Sequence, residues 1–404
     1  MTARVPLYHA VLTQLQQLPP SPPVRPSSLV RLALLITGII AARSCVLQQV
    51  AQELFALGLT QAASAEAIAR RLRRTLNDLE LEADLVYAPA LRQMVVWSGL
   101  GTGGQPRSLI VDASSHTARY HLLRVSLAYR GSSLPIAWLV WAQNTRLPAG
   151  DDWYALDEVL AQVAAWLPPG VTVIVLADRA YDIPPFLDRL HAYGWHGIVR
   201  GKARSRSVLR THQGQTRALA DLLATQLPGP GHRCKLRAHL FQRAGWREVS
   251  LVAHWGRGHA EPLVVLSDLP PRWALLAAYR RRAWVEPGFR NDKTRGWHWE
   301  QTQVQGLAHH QRLLVALAWA SLLMICLGVG EAQHRLARRA HHSPTRTQAR
   351  ASPFTLGLQC VRHSLYRRCP LAPVWSLPDP TGPSWRHQWA TAHITPLLFA
   401  PVRP

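Results

Sequence analysis

The pattern of apolar and polar positions changes near residue 107 from a helical period to a strand period. Before that point apolar residues recur every three or four positions, the spacing of helices with one buried face. The pattern predicts helices at residues 28–42, 45–57 and 65–79. A proline-rich stretch precedes them, so we expect a leader over residues 1–26 and a helical domain over residues 27–100. We interpret this domain as DNA-binding, with a charged, solvated helix as an equal alternative for its arginine-rich third helix.

Short apolar runs typical of strands follow. One occupies residues 108–112, and the runs 121–129 and 134–141 predict a hairpin. The continuous, β-branched run 171–177 predicts a strand buried on both faces. Residues 203–261 are more polar and carry only short strand-like pieces, which predicts a β-rich insertion.

Together these elements predict an α/β fold, with a mixed sheet flanked by helices. We expect its core in two parts, 101–202 and 262–335, on either side of the insertion. The tail 336–404 is rich in Pro, Arg and His and is expected to be irregular. Residues 313–330 carry no charge, but a run of 18 residues is at the lower limit for a membrane span. We favour a buried core helix there over a membrane span.

Charge narrows the choice of partner. The 404 residues include 46 Lys and Arg against 23 Asp and Glu, a formal charge of +23. Such an excess is typical of a surface that binds polyanions, and the preference for Arg over Lys suits bidentate phosphate contacts. The five cysteines are scattered and form no C-x2-C pair, which argues against a disulfide framework and a zinc site. No secretory signal is evident, so we expect a cytoplasmic location.

Two aspartates follow the predicted strands: Asp112 ends one apolar run and Asp178 follows another. A single aspartate at a strand end is more often a cap or turn residue, yet ligands gather at such ends in α/β sheets. If the strands are neighbours and Glu286 packs beside them, three carboxylates converge. Such a cluster suits two Mg²⁺ ions about 4 Å apart, the arrangement for in-line phosphoryl displacement.

A basic segment carries Glu286 at the spacing Y-x2-R-x3-E-x6-K with Tyr279, Arg282 and Lys293. On a helix, steps of three, four and seven place these side chains on nearly one face. The alternative is a solvated basic helix. Pro287 lies directly after Glu286 and removes a helical N–H, so we expect the helix to kink or restart there.

The acidic triple Asp112, Asp178 and Glu286, combined with this four-residue signature, resembles the DDE transposases of bacterial insertion sequences, specifically the family defined by the signature (insertion sequence family four type). The resemblance covers roughly residues 100–330. It implies a ribonuclease-H-like core, a β-insertion between the second Asp and the Glu, and cut-and-paste DNA transposition. It also implies that the three carboxylates bind Mg²⁺, with Mn²⁺ as a substitute.

The resemblance further implies that Tyr279, Arg282 and Lys293 bind phosphates at the transposon end. Arg179 and Arg290 are additional DNA-binding candidates, with pairing to the carboxylates as an equal alternative for Arg179. The implied partners are the inverted-repeat ends, target DNA and a second copy of the chain in a synaptic dimer, without a membrane. The implied place is the bacterial cytoplasm, at the nucleoid.

Relatives of this kind often stack a flipped base on an aromatic side chain. Trp246 and Trp255, in the predicted insertion, are candidates, although ordinary packing is the more common role of tryptophan. Three other classes of protein stay open: a stand-alone metal-dependent nuclease of the same fold, a non-catalytic or inactivated DNA-binding relative, and a membrane protein.

Overall fold

The computed structural model describes residues 6–18, 24–95, 106–116, 119–147, 152–181, 184–202, 207–211, 214–339 and 351–367, together with residues 371 and 377. The chain divides into two compact units. The first, the helical unit, contains the described residues within 1–97, 113–168 and 284–384. The second, the sheet unit, contains those within 98–112 and 169–283. These divisions differ from the predicted domain boundaries, which remain predictions.

The described helices and strands are numbered in chain order. The α-helices are α1 (Pro6–Gln16), α2 (Pro26–Ala42), α3 (Leu47–Ala56), α4 (Ala65–Thr75), α5 (Ala83–Val86), α6 (Ala88–Met94), α7 (Asp152–Trp166), α8 (Pro184–Ala192), α9 (Leu219–Gln226), α10 (Ala274–Tyr279), α11 (Val285–Arg290), α12 (Leu307–Arg339) and α13 (Pro353–Arg367). The strands are β1 (Arg107–His116), β2 (Tyr120–Tyr129), β3 (Ser132–Ala142), β4 (Val173–Ala177), β5 (His196–Arg200), β6 (Val208–Arg210), β7 (Thr216–Ala218), β8 (Arg233–Leu240), β9 (Arg247–His254) and β10 (Leu263–Ser267).

A mixed sheet forms the sheet unit, with the strand order β1-β4-β5-β10-β9-β8-β6-β7. Strand β4 pairs in parallel with β1 and β5, and the remaining pairs are antiparallel. All five residues of β4 are buried, which confirms the prediction for residues 171–177. Gly197 lets α8 approach β5 closely, because a Cβ there would lie 2.7 Å from Leu187 Cδ2.

The predicted β-rich insertion forms strands β6 to β9, with the short helix α9 between them. Strands β8 and β9 pair in continuous register from Arg233 opposite His254 to Leu240 opposite Arg247. Because β9 also pairs with β10, the insertion extends the sheet of its own unit. The fold is therefore α/β with a mixed sheet, as the sequence predicts.

Helices from the N-terminal region belong to the helical unit. The three predicted helices are present as α2, α3 and α4, with ends shifted by a few residues, and the predicted leader contains α1. Helices α2 and α3 pack tightly at Gly38, where a Cβ would lie 2.5 Å from Val50 Cγ1. The hairpin prediction is also confirmed, but its loop is only Arg130 and Gly131, with φ of 49° and 80°. Two positive φ values are typical of a type I′ turn.

Two long helices pack together near the end of the described chain. The prediction of an irregular tail is wrong for residues 353–367, which form α13 against α12. Glycines explain both the contact and the missed helix. A Cβ at Gly328 would lie 1.7 Å from the Pro353 carbonyl oxygen, and one at Gly357 would lie 2.0 Å from that of Met324. Glycine weakens the helical signal in the sequence but permits this close backbone approach.

The apolar helix α12 is long and apolar enough to cross a membrane, the only unbent one in the part of the chain that the structure describes. The most apolar 18-residue stretch of this helix is wholly buried inside the protein. A helix covered by protein on all sides is a core helix, as predicted for residues 313–330. The described cysteines, Cys45, Cys234, Cys326 and Cys360, are free thiols, and Cys369 lies outside the described residues.

Asp268 fastens the end of β10 to its neighbours in the sheet unit. Its carboxylate accepts hydrogen bonds from the Gly197 backbone N–H (2.9 Å) and pairs with His196 Nδ1 (2.6 Å) and His191 Nε2 (3.1 Å). Burial alone would raise the pKa of Asp268, but these hydrogen bonds outweigh it and hold the pKa below its ordinary value. The ionised carboxylate therefore stabilises the folded state.

The substitution Asp268→Asn should lower the free energy of unfolding at pH 7 by about 1–3 kcal/mol, the range for hydrogen bonds to a charged group. The difference in free energy of unfolding between the wild type and the variant should be complete above the ordinary aspartate pKa of about 3.9. It should disappear as the pH falls through the lower pKa that Asp268 has in the folded protein. Urea unfolding between pH 3 and about pH 7 measures this difference. Asp188→Asn, which removes an exposed ion pair with Arg247, is the control and should cost less than about 1 kcal/mol. Equal losses in the two variants, or a difference independent of pH, would contradict this role.

Candidate active site

Asp112 and Asp178 lie at the same level of two adjacent parallel strands. The register pairs Leu109 with Val175 and Ile110 with Leu176, and each aspartate follows two residues after the last of these pairs. Neighbouring strands are about 4.8 Å apart, so the two side chains leave the sheet side by side. Asp178 directly follows β4, as predicted. Asp112 lies within β1 instead of at its end, because the strand continues to His116.

Both aspartates converge on one guanidinium nitrogen. Arg282 Nη2 lies 2.9 Å from Asp112 Oδ1 and 3.8 Å from Asp178 Oδ2. The other carboxylate oxygen of Asp178 accepts a hydrogen bond from the Ala180 backbone N–H at 2.8 Å. This bond is the turn role that a strand-end aspartate commonly has. Here the turn also fixes the direction of the carboxylate, which leaves one oxygen directed at a cation.

Tyr279, at the end of α10, is 8% exposed. Burial raises the pKa of its phenol to about 12. The charges of Asp178 and Asp112 act in the same direction, while Arg282 and Arg200 oppose them. The phenol is therefore neutral near pH 7 and keeps its proton to donate in a hydrogen bond.

Basic side chains continue around Glu261 in the sheet unit. Arg200 Nη2 donates to Glu261 Oε1 at 2.7 Å, and Arg179 Nη1 lies 4.0 Å from the same oxygen. Arg179 is 60% exposed, so its guanidinium remains accessible to an anion from solvent. Behind these residues, buried Arg281 donates to Ser108 Oγ at 2.9 Å, and burial lowers the pKa of this guanidinium to about 10.

Glu286 belongs to the helical unit, in a segment that changes its helical type three times. Helix α10 is followed by a 3-10 helix (Arg280–Trp284), α11, and a π-helix (Asn291–Arg295). The four signature residues therefore do not lie on one uniform α-helix. This differs from the single helix whose spacing would place their side chains on nearly one face. Pro287 is the third residue of α11, in the first turn, where a helical N–H has no acceptor within its own helix. The expected restart of the helix thus occurs at Val285.

The predicted side chains of this segment differ in exposure. Glu286 and Arg290 are exposed, whereas Lys293 is half-buried. Lys293 Nζ lies 3.5 Å from Glu300 Oε1, an ion pair within the helical unit. Helices of the π type occur often at functional sites, and this one carries Lys293.

Helix α11 is fixed to the β2–β3 hairpin by a buried arginine. Arg124 forms an ion pair with Asp292, and the two side chains are only 4% and 8% exposed. Its guanidinium also lies 4.1 Å from the centre of the Phe289 ring. At Gly288 a Cβ would lie 2.1 Å from Ser133 Oγ, so only glycine permits this contact with β3. Glu286 is thereby held on a rigid base within the helical unit.

A small cavity of about 20 Å³ lies beside this ion pair. Arg124 Nε and Nη2 and Ser133 Oγ are buried there without a protein partner. The cavity is large enough for one water molecule, which these polar groups would bind. Burial raises the pKa of Asp292, and the charge of Arg124 opposes that shift.

Carboxylate oxygens are the ligands that Mg²⁺ and Mn²⁺ prefer. Among the residues that the structure describes, no group of three or more His, Cys, Asp or Glu side chains could hold a metal ion as placed. Within the sheet unit, however, Asp112 and Asp178 already direct oxygens at one positive charge, that of Arg282. The chemistry of this pair therefore fits a divalent cation.

Sequence reasoning missed Arg200, Glu261 and Arg281 in the sheet unit, and Arg124 and Asp292 in the helical unit. The sequence does carry a signal for two of these residues, Arg124 and Asp292. Arg124 is the only charged Arg, Lys, Asp or Glu in a mostly apolar predicted strand, and a charge in such a position needs a buried partner. Asp292 lies inside the signature itself, six residues after Glu286.

Comparison with known families identifies the chain. The family model described as the transposase DDE domain matches residues 103–323, more than half of the chain. The protein belongs to this family, whose members are transposases that act in DNA recombination. The search of curated proteins gives no significant match.

Arg124→Ala should destabilise the protein by about 3–5 kcal/mol, because it leaves the Asp292 carboxylate buried without its partner. The double variant Arg124→Met, Asp292→Leu removes both charges and should lose less stability than the single variant. Urea unfolding at neutral pH measures both. Arg237→Ala, which breaks an exposed pair with Glu248, serves as the control and should cost less than about 1 kcal/mol. A double variant no more stable than Arg124→Ala would contradict the ion-pair account.

Proposed function

We propose that this DDE transposase cleaves DNA at transposon ends and joins them to target DNA, with Asp112, Asp178 and Glu286 as the metal ligands. The observation that carries the proposal is the convergence of two carboxylates, from adjacent parallel strands, on one cation. Two negative charges side by side on adjacent strands are costly for the fold unless they bind a cation. A cation-binding carboxylate pair is what phosphodiester chemistry on Mg²⁺ requires.

The order of elements supports a ribonuclease-H-like core. The chain passes through β1, the antiparallel hairpin β2–β3, α7, β4, α8 and β5. Strands β1, β4 and β5 are parallel within the sheet unit. A β-rich segment then intervenes before the helix that carries Glu286, where the family resemblance expects an insertion.

The side chains of the site have separate tasks in this proposal. A divalent cation, when bound, would activate the attacking oxygen and stabilise the charge on the leaving oxygen. Asp112 and Asp178 hold the cation, and Arg282 turns from the carboxylates to a DNA phosphate. Tyr279 donates a hydrogen bond from its phenol to a phosphate oxygen, and its raised pKa keeps the phenol protonated in alkaline solution as well. Arg179 and Arg200 bind the adjoining phosphates of the DNA backbone.

Lys293 and Arg290 are proposed to bind phosphates from the helical unit, beside Glu286. The charge of +23 favours association with a polyanion such as DNA. Two transposon ends require two active sites, so we propose that the working complex is a dimer of this chain.

Substitution of a metal ligand should abolish cleavage without abolishing binding. The substrate is duplex DNA with the inverted repeats that flank the encoding gene, incubated with Mg²⁺ or Mn²⁺. Asp178→Asn and Glu286→Gln should each lower the cleavage rate by at least about 100-fold, since each removes an anionic ligand that supports transition-state charge. EDTA should have the same effect on the wild type. Asp188→Asn, in the sheet unit but in an exposed ion pair, is the control.

The outcomes separate the alternatives. Cleavage without strand transfer in any target assay indicates a stand-alone nuclease. Salt-sensitive binding to the repeats without cleavage in any metal indicates an inactivated relative. Equal cleavage rates for the wild type and for Asp178→Asn would contradict the assignment of Asp178 as a metal ligand.

Arg282 should compete with the metal in the absence of DNA. Because its guanidinium already contacts both aspartates, Arg282→Gln should bind Mn²⁺ several-fold more tightly than the wild type, measured by electron paramagnetic resonance of free Mn²⁺. The same variant should cleave DNA more slowly, because it lacks the phosphate contact. Unchanged or weaker Mn²⁺ binding would show that Arg282 does not occupy the cation position.

A further inference from the structure

Strand β8 presents a row of positive charges on one face of the sheet unit. Its sequence alternates basic and mostly apolar residues, and the basic ones are Arg233, Lys235, Arg237 and His239. The first three are exposed, whereas the alternate residues Cys234, Ala238 and Leu240 are buried and Leu236 is half-buried. Alternate residues of a strand share a face and are about 6.8 Å apart, so the basic side chains form an evenly spaced ladder.

The ladder continues onto the next strand and has little acidic compensation. Arg210 on β6 pairs directly with His239 across the strands and therefore lies on the same face. Among the described strands β6 to β10, Glu248 is the one acidic residue. It lies opposite His239 and pairs with Arg237 at 3.4 Å, with both side chains at least 40% exposed. A solvated surface of ordinary composition would mix the two signs of charge.

Tryptophans lie at both ends of this cationic ladder. The Arg233 guanidinium is 4.7 Å and the Lys235 ammonium 5.7 Å from the centre of the Trp273 ring. At the other end the Arg210 guanidinium is 4.9 Å from the centre of the Trp246 ring. Stacking on a ring restricts these long side chains while leaving their charges near the surface, which reduces the entropy lost on binding. Trp255, the other predicted base-stacking candidate, donates from its ring nitrogen to the His259 carbonyl at 2.8 Å.

The position of the ladder relates it to the two aspartates in the same unit. Strand β8 is four strands from β4, which at about 4.8 Å per strand is about 19 Å from Asp178 across the sheet. Helix α10 links the two regions, since Trp273 precedes its first residue and Tyr279 is its last. Duplex DNA rises about 3.4 Å per base pair, so this distance corresponds to about six base pairs.

We propose that the cationic ladder, formed by Arg210, Arg233, Lys235, Arg237 and His239, binds the phosphate backbone of the DNA molecule that is cut, about six base pairs from the scissile phosphate. This inference rests on the proposed function, because it takes Asp112 and Asp178 as the place of cutting. The contact is with the backbone, so it sets the register of the duplex and carries no base specificity.

The experiment compares two charge-matched double variants. Lys235→Gln, Arg237→Gln removes two charges from the ladder, and Arg217→Gln, Arg247→Gln removes two from the opposite face of the same sheet. Each double variant removes one arginine that forms an exposed ion pair. In the ladder variant it is Arg237, which pairs with Glu248, and in the control it is Arg247, which pairs with Asp188. Binding to a mixed-sequence duplex of about 30 base pairs is measured by fluorescence anisotropy over a range of salt concentrations. Circular dichroism and thermal unfolding verify that both doubles are folded.

The ladder double should reduce the slope of log K against log salt by about two, because each lost phosphate contact removes about 0.9. The control double should leave the slope unchanged. Affinity of the wild type should also rise when a duplex carrying the repeat is lengthened from about four to about twelve base pairs beyond the cut, and this gain should disappear in the ladder double.

Equal slopes for the wild type and the ladder double, or equal reductions in both doubles, would overturn the inference while leaving the proposed function intact. A wild type without salt-dependent DNA binding would overturn the proposed function as well. The ladder double variant could instead show the reduced salt slope and still gain affinity as the duplex is lengthened. That result would show that the ladder binds DNA elsewhere, which also contradicts the proposed position.

Discussion

The pairing of β1 with β4 in parallel register is the constraint on which the candidate site depends. It places Asp112 and Asp178 side by side, and the resulting negative charge must be matched by a cation. In the structure that cation is Arg282, 2.9 Å and 3.8 Å from the two carboxylates. In the proposed function a divalent metal ion would take the place of this cation and supply the chemistry of phosphoryl transfer. Arg282 therefore balances the charge of the pair in the structure, and in the proposed function it would leave the carboxylates to hold a DNA phosphate.

A second charged pair supports the third acidic residue. Arg124 and Asp292 are buried together in the helical unit, and they fix the segment that carries Glu286 to the β2–β3 hairpin. Gly288 lets the backbone of the same segment approach the Ser133 side chain closely. Such support suits the catalytic role proposed for Glu286, because a displacement of about 1 Å at the reacting atoms costs a large part of the rate. The signature thus contains Asp292, the residue that anchors the segment carrying Glu286.

The fold was largely predictable because its strands and helices have clear periods. The buried run before Asp178 and the hairpin at residues 121–141 follow directly from local patterns. Residues far apart in sequence were not predictable in this way. The pairing of Arg124 with Asp292 joins positions 168 apart, and that of Arg282 with Asp112 joins positions 170 apart. Helix α13 was missed because its glycine serves packing against α12, which no local propensity records.

The central claim is that Asp112 and Asp178 hold a catalytic cation in exchange for Arg282. The most direct test is a crystal structure of the protein with cleaved repeat DNA and Mn²⁺, using anomalous scattering to locate the metal. We predict an anomalous peak bound by both aspartate carboxylates, with the Arg282 guanidinium on a DNA phosphate. Manganese bound elsewhere, with Arg282 still paired to Asp112, would contradict the account.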